Sequence, residues 1–186
     1  MMNEALRNLY TRRSIRAFLP DPVPQEALHQ LLDAALYAPS AMNTQPWHIS
    51  VIRTRQTIDW MVGRIRTVLL RSGDSALIEL ARDPAFHTFY HAPAVLYVAA
   101  ETSQKFGVSD CANLTTYLTL AAHALGLGSC YIASSNLLFE GTDAGQARQR
   151  LRIPEGYEPV FSVALGYAAA APEPQPRRDN TVDYVD

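Results

Sequence analysis

Helical and extended hydrophobic periodicities alternate along this chain, which places it in the α/β or α+β class. Three stretches carry that reading. In "VPQEALHQLLDAALYA", Leu28, Leu31, Leu32, Ala35 and Leu36 recur at i, i+3, i+4, i+7 and i+8, the apolar stripe of an amphipathic helix. "AVLYVAA" at 94–100 is a continuous apolar run, as a central strand buried on both faces needs. Residues 109–125 set Leu114, Leu118, Ala121, Ala122 and Leu125 on one stripe, and this helix should be the most buried of all.

The remaining elements follow in order. Pro24 suits the first turn of the first helix, which must stop before Pro39. "HISVIR" alternates as a short strand does, and from Thr54 a helical pattern runs through Ile58, Met61, Val62, Ile65, Val68 and Leu69. Beyond the 109–125 helix come a short strand from "SCYIAS", a helix around "DAGQARQRLR" and a last strand in "PVFSVALGY". The end differs in composition. Pro172, Pro174 and Pro176 alternate in "AAAAPEPQPRRDNTVDYVD", which favours an extended segment. Because this tail still carries Val182, Tyr184 and Val185, it is expected to lie along another surface. The chain therefore divides into one domain, 1–170, and a tail, 171–186.

The 186 residues are 48% hydrophobic and 18% charged, enough for one sizeable core. A formal net charge of −2 gives no general electrostatic case for nucleic acid or an anionic membrane. No apolar run approaches the roughly 18 residues of a membrane span, and the N-terminus lacks the apolar core of a signal peptide. A cytoplasmic location is expected. Cys111 and Cys130 are too few for a disulfide framework and read as buried small hydrophobes.

Several clusters could carry chemistry. "TRRSIRAF" packs Arg12, Arg13 and Arg16 around Ser14. Guanidinium forks and a hydroxyl suit a phosphate or a polar ring edge, while the plain alternative is a solvated basic turn. Arg177 and Arg178 form a second pair. "PSAMNTQPWHI" at 39–49 gathers Ser40, Asn43 and Gln45 between Pro39 and Pro46, more polar groups than a turn requires. "GLGSCY" at 126–131 is not a dinucleotide fingerprint: the third glycine is missing, and the glycines end a helix instead of opening one. Gly126 or Gly128 is expected to be a left-handed helix cap. His87 and His91 could share a helix face, but Thr88 stands where zinc hydrolases place Glu, so no metal site is expected. Gly-x-Ser-x-Gly is absent. No side-chain set looks hydrolytic, which points to chemistry carried by a cofactor.

"RRSIRAF", then "APSAMNTQPWHISVI", then "LTLAAHALGLGSCYIAS", then an arginine near the C-terminus together resemble the FMN-dependent nitroreductase family, in its order and over nearly the whole chain. The resemblance implies an α+β fold with a central, mainly antiparallel sheet wrapped by helices. It also implies an interlocked homodimer with FMN at the subunit interface and a C-terminal tail extended over the partner. By position, Arg12, Arg13, Ser14 and Arg16 correspond to the stretch gripping FMN, and Pro39, Ser40, Asn43 and Gln45 to a loop reaching the same flavin from the partner subunit. Tyr131, Ile132, Ala133 and Ser134 replace the family's frequent Pro-Ile-Glu-Gly, where backbone N–H groups lie by flavin N5. Arg177 or Arg178 would meet the phosphate. Trp47 is expected to pack, not to touch the cofactor.

The implied activity is a hydride transfer from NADH or NADPH to FMN, then electron transfer to a nitroaromatic, quinone or related acceptor, both substrates using one site in a ping-pong cycle. No side chain is required as acid or base, so no catalytic residue is assigned. The alternatives are a specialised member such as a reductive dehalogenase, against which the short 53–93 segment argues, and a non-catalytic flavin-binding regulator or storage protein.

Overall fold

The computed structural model describes residues 2–141 and 143–185. Its centre is a four-stranded sheet in the order β1-β2-β4-β3, with β1 Trp47–Ile52, β2 Ala94–Glu101, β3 Gly128–Ile132 and β4 Tyr157–Gly166. Every neighbouring pair is antiparallel. Helices cover both faces, so the class is α+β.

The apolar run of β2 explains its central place. Ala94, Leu96, Val98 and Ala100 point into one core, while Val95, Tyr97 and Ala99 point into the other, the period-2 alternation of a strand with no wet face. The first core lies under α2 (Gln25–Ala35) and α5 (Gly107–Ala124). Leu28, Leu31 and Ala35 come from α2, and Leu114, Leu118 and Ala122 from α5, all fully covered. The second lies under α3 (Arg55–Leu70), the 3-10 segment Ser134–Phe139 and α6 (Ala144–Arg150). Pro159 sits in β4 where its register with β2 shifts, between Val98 and Ala99. A bulge tolerates the missing N–H there.

Two helices had no clear sequence signal. α1 (Glu4–Thr11) buries no residue and is tied to α5 by Asn8 Nδ2, which donates to the Leu120 carbonyl at 3.1 Å. α4 (Ser75–Arg82) is capped by Asp74, whose Oδ1 accepts from the Ala76 and Leu77 N–H groups, and buries only Ala81. Among the described residues no helix is long and apolar enough to cross a membrane. Cys111 and Cys130 are buried and unpaired, and burial raises both thiols, Cys111 to about 12. Residues 171–185 form no helix or strand, and Tyr184 and Val185 stand 91% and 94% exposed on this chain.

Candidate functional site

The segment leaving α1 is strapped along the outer edge of β3. Ile15 N–H donates to the Ser129 carbonyl at 2.8 Å, and Ser14 and Ser129 form a parallel bridge. Further on, Leu19 N–H donates to Tyr167 O and Ala169 N–H to Ala17 O, both at 2.9 Å. Two glycines let the strap seat. A Cβ on Gly128 would stand 3.0 Å from Ile15 Cγ1, and one on Gly166 would stand 2.6 Å from Pro93 Cδ and 3.1 Å from Phe18 Cδ1. The "GLGS" run thus divides its labour: Gly126, at φ +75°, is the left-handed cap that ends α5, and Gly128 is there for close approach.

This strap presents Arg12, Arg13 and Arg16 beside β3 with no carboxylate partner among the described residues. Arg13 is partly committed, its Nη1 donating to the carbonyls of Tyr10 and Arg12 at 2.7 and 2.8 Å. At the far end of β3, the Tyr131 ring stands edge-on to Phe161 at 5.0 Å, and burial pushes its hydroxyl up to about 12. Ile132 is buried, its carbonyl accepting from the Ser135 and Ser162 hydroxyls. Ala133 and Ser134 are exposed, and no protein acceptor among the described residues takes their N–H groups.

Arg16 and Ser134 also bound a largely apolar cavity of about 760 Å³ whose far wall is α3, through Ile65 and Leu69, and the turns at 83–91. His87 and His91 lie in that wall, on a turn and not on a helix face, with ring centroids 4.0 Å apart. His87 Nδ1 accepts from the N–H groups of Phe89 and His91 at 3.2 and 3.1 Å, which winds the turn around the ring. Tyr90 and His91 hold φ of 53° and 60°, a cost that functional sites tolerate more often than plain turns. Burial, then the neighbouring His91, lowers His87 from 6.5 to about 4.

The loop 39–46 is self-bracing. Ser40 Oγ accepts from Gln45 N–H at 3.0 Å, Ser40 O accepts from Asn43 N–H at 3.0 Å, and Gln45 Nε2 donates to Asn43 Oδ1 at 3.3 Å. Met42, Asn43 and Gln45 all have positive φ, and Met42 is 95% exposed. Two residues of α5 clip the loop down: Asp110 Oδ1 accepts from Ala41 N–H at 3.1 Å, and Asn113 Nδ2 donates to Pro39 O at 3.2 Å. Trp47 is half-buried against the first core.

The expected site residues therefore form two separate groups in one chain. The arginine strap and residues 131–134 adjoin each other along β3, whereas the loop precedes β1, at the opposite edge of the sheet. Three strand spacings put roughly 14 Å between those edges. Arg177 and Arg178 are exposed in the tail and, among the described residues, make no hydrogen bond or ion pair with either group, although the tail leaves from Ala170–Pro172, which share a cavity with Arg12 and Arg13. Asp110, Asn113, His123 and the 83–91 turn were not singled out as site residues by their sequence. Only the His87 and His91 spacing gave a signal, and of the helix face and the helix end or loop it allowed, the structure shows a turn.

The chain as a whole is similar to known proteins of the same fold. The nitroreductase from Bacteroides fragilis NCTC 9343, solved with bound FMN, is 29% identical, with each chain covered in full and a TM-score of 0.92. A nitroreductase with bound FMN from Desulfitobacterium hafniense DCB-2 is 30% identical, again with full coverage of both chains and a TM-score of 0.92. The FMN reductase [NAD(P)H] of Bacillus subtilis is 26% identical over 184 residues, covering 95% of this chain and 70% of the relative. The profile of the nitroreductase family matches residues 9–167, and with that match the chain belongs to the nitroreductase family.

Proposed function

We propose that this protein is an FMN-dependent oxidoreductase that takes a hydride from NADH or NADPH and reduces a nitroaromatic, quinone or related acceptor. The observation that carries this reading is the strap and strand end considered together: along one strand edge, three guanidiniums and then two backbone N–H groups that, among the described residues, have no carboxylate partner and no protein acceptor respectively. Such a donor set fits a cofactor with a phosphate at one end and a ring with hydrogen-bond acceptors at the other. The FMN bound by the two solved relatives has that chemistry.

Bound FMN would supply the redox chemistry. Arg12 would hold the phosphate, with Arg13, Ser14 and a tail arginine, Arg177 or Arg178, beside it. Arg16 would face the ring edge where negative charge develops on reduction, and a fixed cation there stabilises that charge. The Ala133 and Ser134 N–H groups would donate to the ring nitrogen that receives the hydride. Tyr131 and Ile132 would line the approach. Pro39, Ser40, Asn43 and Gln45 would meet the same flavin from a partner subunit, since no single chain brings the loop to the strap. The tail, 171–186, would lie on that partner and bury Val182, Tyr184 and Val185. One open face serving donor and acceptor in turn is the basis for a ping-pong cycle.

The test is direct. The protein is expected to purify yellow, with released cofactor giving the mass of FMN, and anaerobic mixing with NADH or NADPH should bleach it. Recovery of FAD, or no flavin after incubation with FMN, would overturn the proposal. A bound flavin that stays oxidised under both nucleotides would mark a flavin-binding regulator.

A further inference from the structure

The strap and the C-terminal end of α5 close a second, smaller cavity of about 260 Å³, lined by Arg12, Arg13, His123 and Ser129 with the base of the tail at Pro172. Among the described residues no carboxylate lines it, and its charged lining side chains are Arg12 and Arg13. We propose that His123 is a third group of a phosphate-monoester subsite with Arg12 and Arg13, and that its ring takes up a proton when the phosphate binds. This rests on the flavin reading above and adds to it a residue and a proton.

The hydrogen bonds fix the tautomer. Thr11 has one hydroxyl proton, and Thr11 Oγ1 donates it to the Arg7 carbonyl at 2.7 Å. The same oxygen stands 2.8 Å from His123 Nε2, so that nitrogen must be the donor and Nδ1 carries the lone pair. Nδ1 has no protein partner among the described residues. The ring is thus tied at one nitrogen, free at the other, and beside two cations.

Charge then dictates the direction. In the free protein, burial lowers the His123 pKa, and Arg12 and then Arg13 lower it further. Among the described residues the charges that act on it are Arg12 and Arg13, and no carboxylate stands among the cavity-lining residues of α1, the strap, β3 or the base of the tail. A phosphate dianion between the guanidiniums offsets their repulsion and attracts a proton to the ring. By linkage, binding a dianion must raise proton occupancy at Nδ1, and lowering the pH towards neutrality must tighten binding. Riboflavin, which has no phosphate, should produce neither effect.

Calorimetry of FMN binding at pH 7.5 in two buffers of different ionisation enthalpy measures the protons taken up. The expected result for the wild type is net uptake with FMN and none with riboflavin. His123→Gln retains an N–H for Thr11 but cannot gain charge. It should abolish the uptake and weaken FMN about tenfold, the low end for a charge-assisted hydrogen bond, while leaving riboflavin affinity unchanged. His123→Lys, a permanent cation, should restore FMN affinity without uptake. Equal uptake in the wild type and His123→Gln would overturn the proposal. Equal weakening of both ligands would also do so, because it would make His123 only the tie between α1 and α5. A wild-type protein that binds neither ligand would overturn the flavin reading as well.

Discussion

Arg12, Arg13 and Arg16 differ in what already holds them. Arg13 spends Nη1 on two backbone carbonyls, so its loss disturbs the turn as well as any ligand. Among the described residues the side chains of Arg12 and Arg16 have no such commitment, so they give cleaner tests. Removing a charge-assisted phosphate contact should cost about 1.5–3 kcal/mol, so Arg12→Ala should weaken FMN roughly 10- to 100-fold and riboflavin much less. Arg16→Ala should weaken both ligands and lower the flavin midpoint potential, because reduced flavin loses a countercharge that oxidised flavin needs less. Equilibrium binding and a reductive dye titration read the two effects. His87 gives a separate test. Folded His87 titrates at about 4 against 6.5 for the ordinary ring. Between those values the unfolded chain binds more protons, so stability should fall as pH drops through that window. His87→Gln should flatten that slope in urea unfolding at stepped pH. The residue types at the strap were legible in sequence because three arginines around Ser14 are a local feature. The wall of 83–91 was not, because its meeting with Arg16 and Ser134 joins positions far apart in the chain.

At the scale of elements, the periodic segments announced themselves where a core face existed. α2, α3 and α5 each bury most of the stripe their spacing predicts, with Leu32, Val68 and Ala121 half-buried and Leu36 and Leu125 left exposed at the C-caps of α2 and α5. α1 and α4 did not, because a helix that buries no residue, or only Ala81, leaves little apolar pattern to find. Glycine separates local propensity from tertiary demand in the same way. Gly63 lies in α3 with nothing near its missing Cβ. Gly63→Ala should therefore raise stability by roughly 0.5–1 kcal/mol through the unfolded chain and helix propensity. Gly166→Ala meets Pro93 and Phe18, so it should cost about 1–3 kcal/mol. It should also loosen the strap, since Phe18 bridges Ala168 beside it. Paired thermal melts check the opposite signs. A Gly166→Ala protein as stable as wild type would mean that the strap seats less tightly than its contacts indicate.

At the scale of the whole molecule, the proposed function requires the loop and the strap, which lie at opposite edges of one sheet, to meet across two chains. α1 leaves Leu6, Leu9 and Tyr10 exposed, and the tail leaves Val182, Tyr184 and Val185 exposed, apolar area that a second copy could cover. A two-fold dimer would carry the loop of each chain to the strap of the other, giving two equivalent sites. Mixing subunits tests this without assuming a geometry. One variant loses the strap, Arg12→Ala with Arg16→Ala, and the other loses the loop, Ser40→Ala with Asn43→Ala. Each alone should bind FMN poorly. After co-refolding in equal amounts, half the dimers are mixed, and each mixed dimer has one intact site and one doubly damaged site. About one quarter of all sites should then bind FMN with wild-type affinity. Sites built within single chains predict no recovery, because every chain carries a defect. Titration of the mixture with FMN, alongside sedimentation to confirm dimers, separates the two outcomes. Recovery would place strap and loop around one flavin, and its absence in a mixture that does form dimers would return the loop to a structural role at the start of β1.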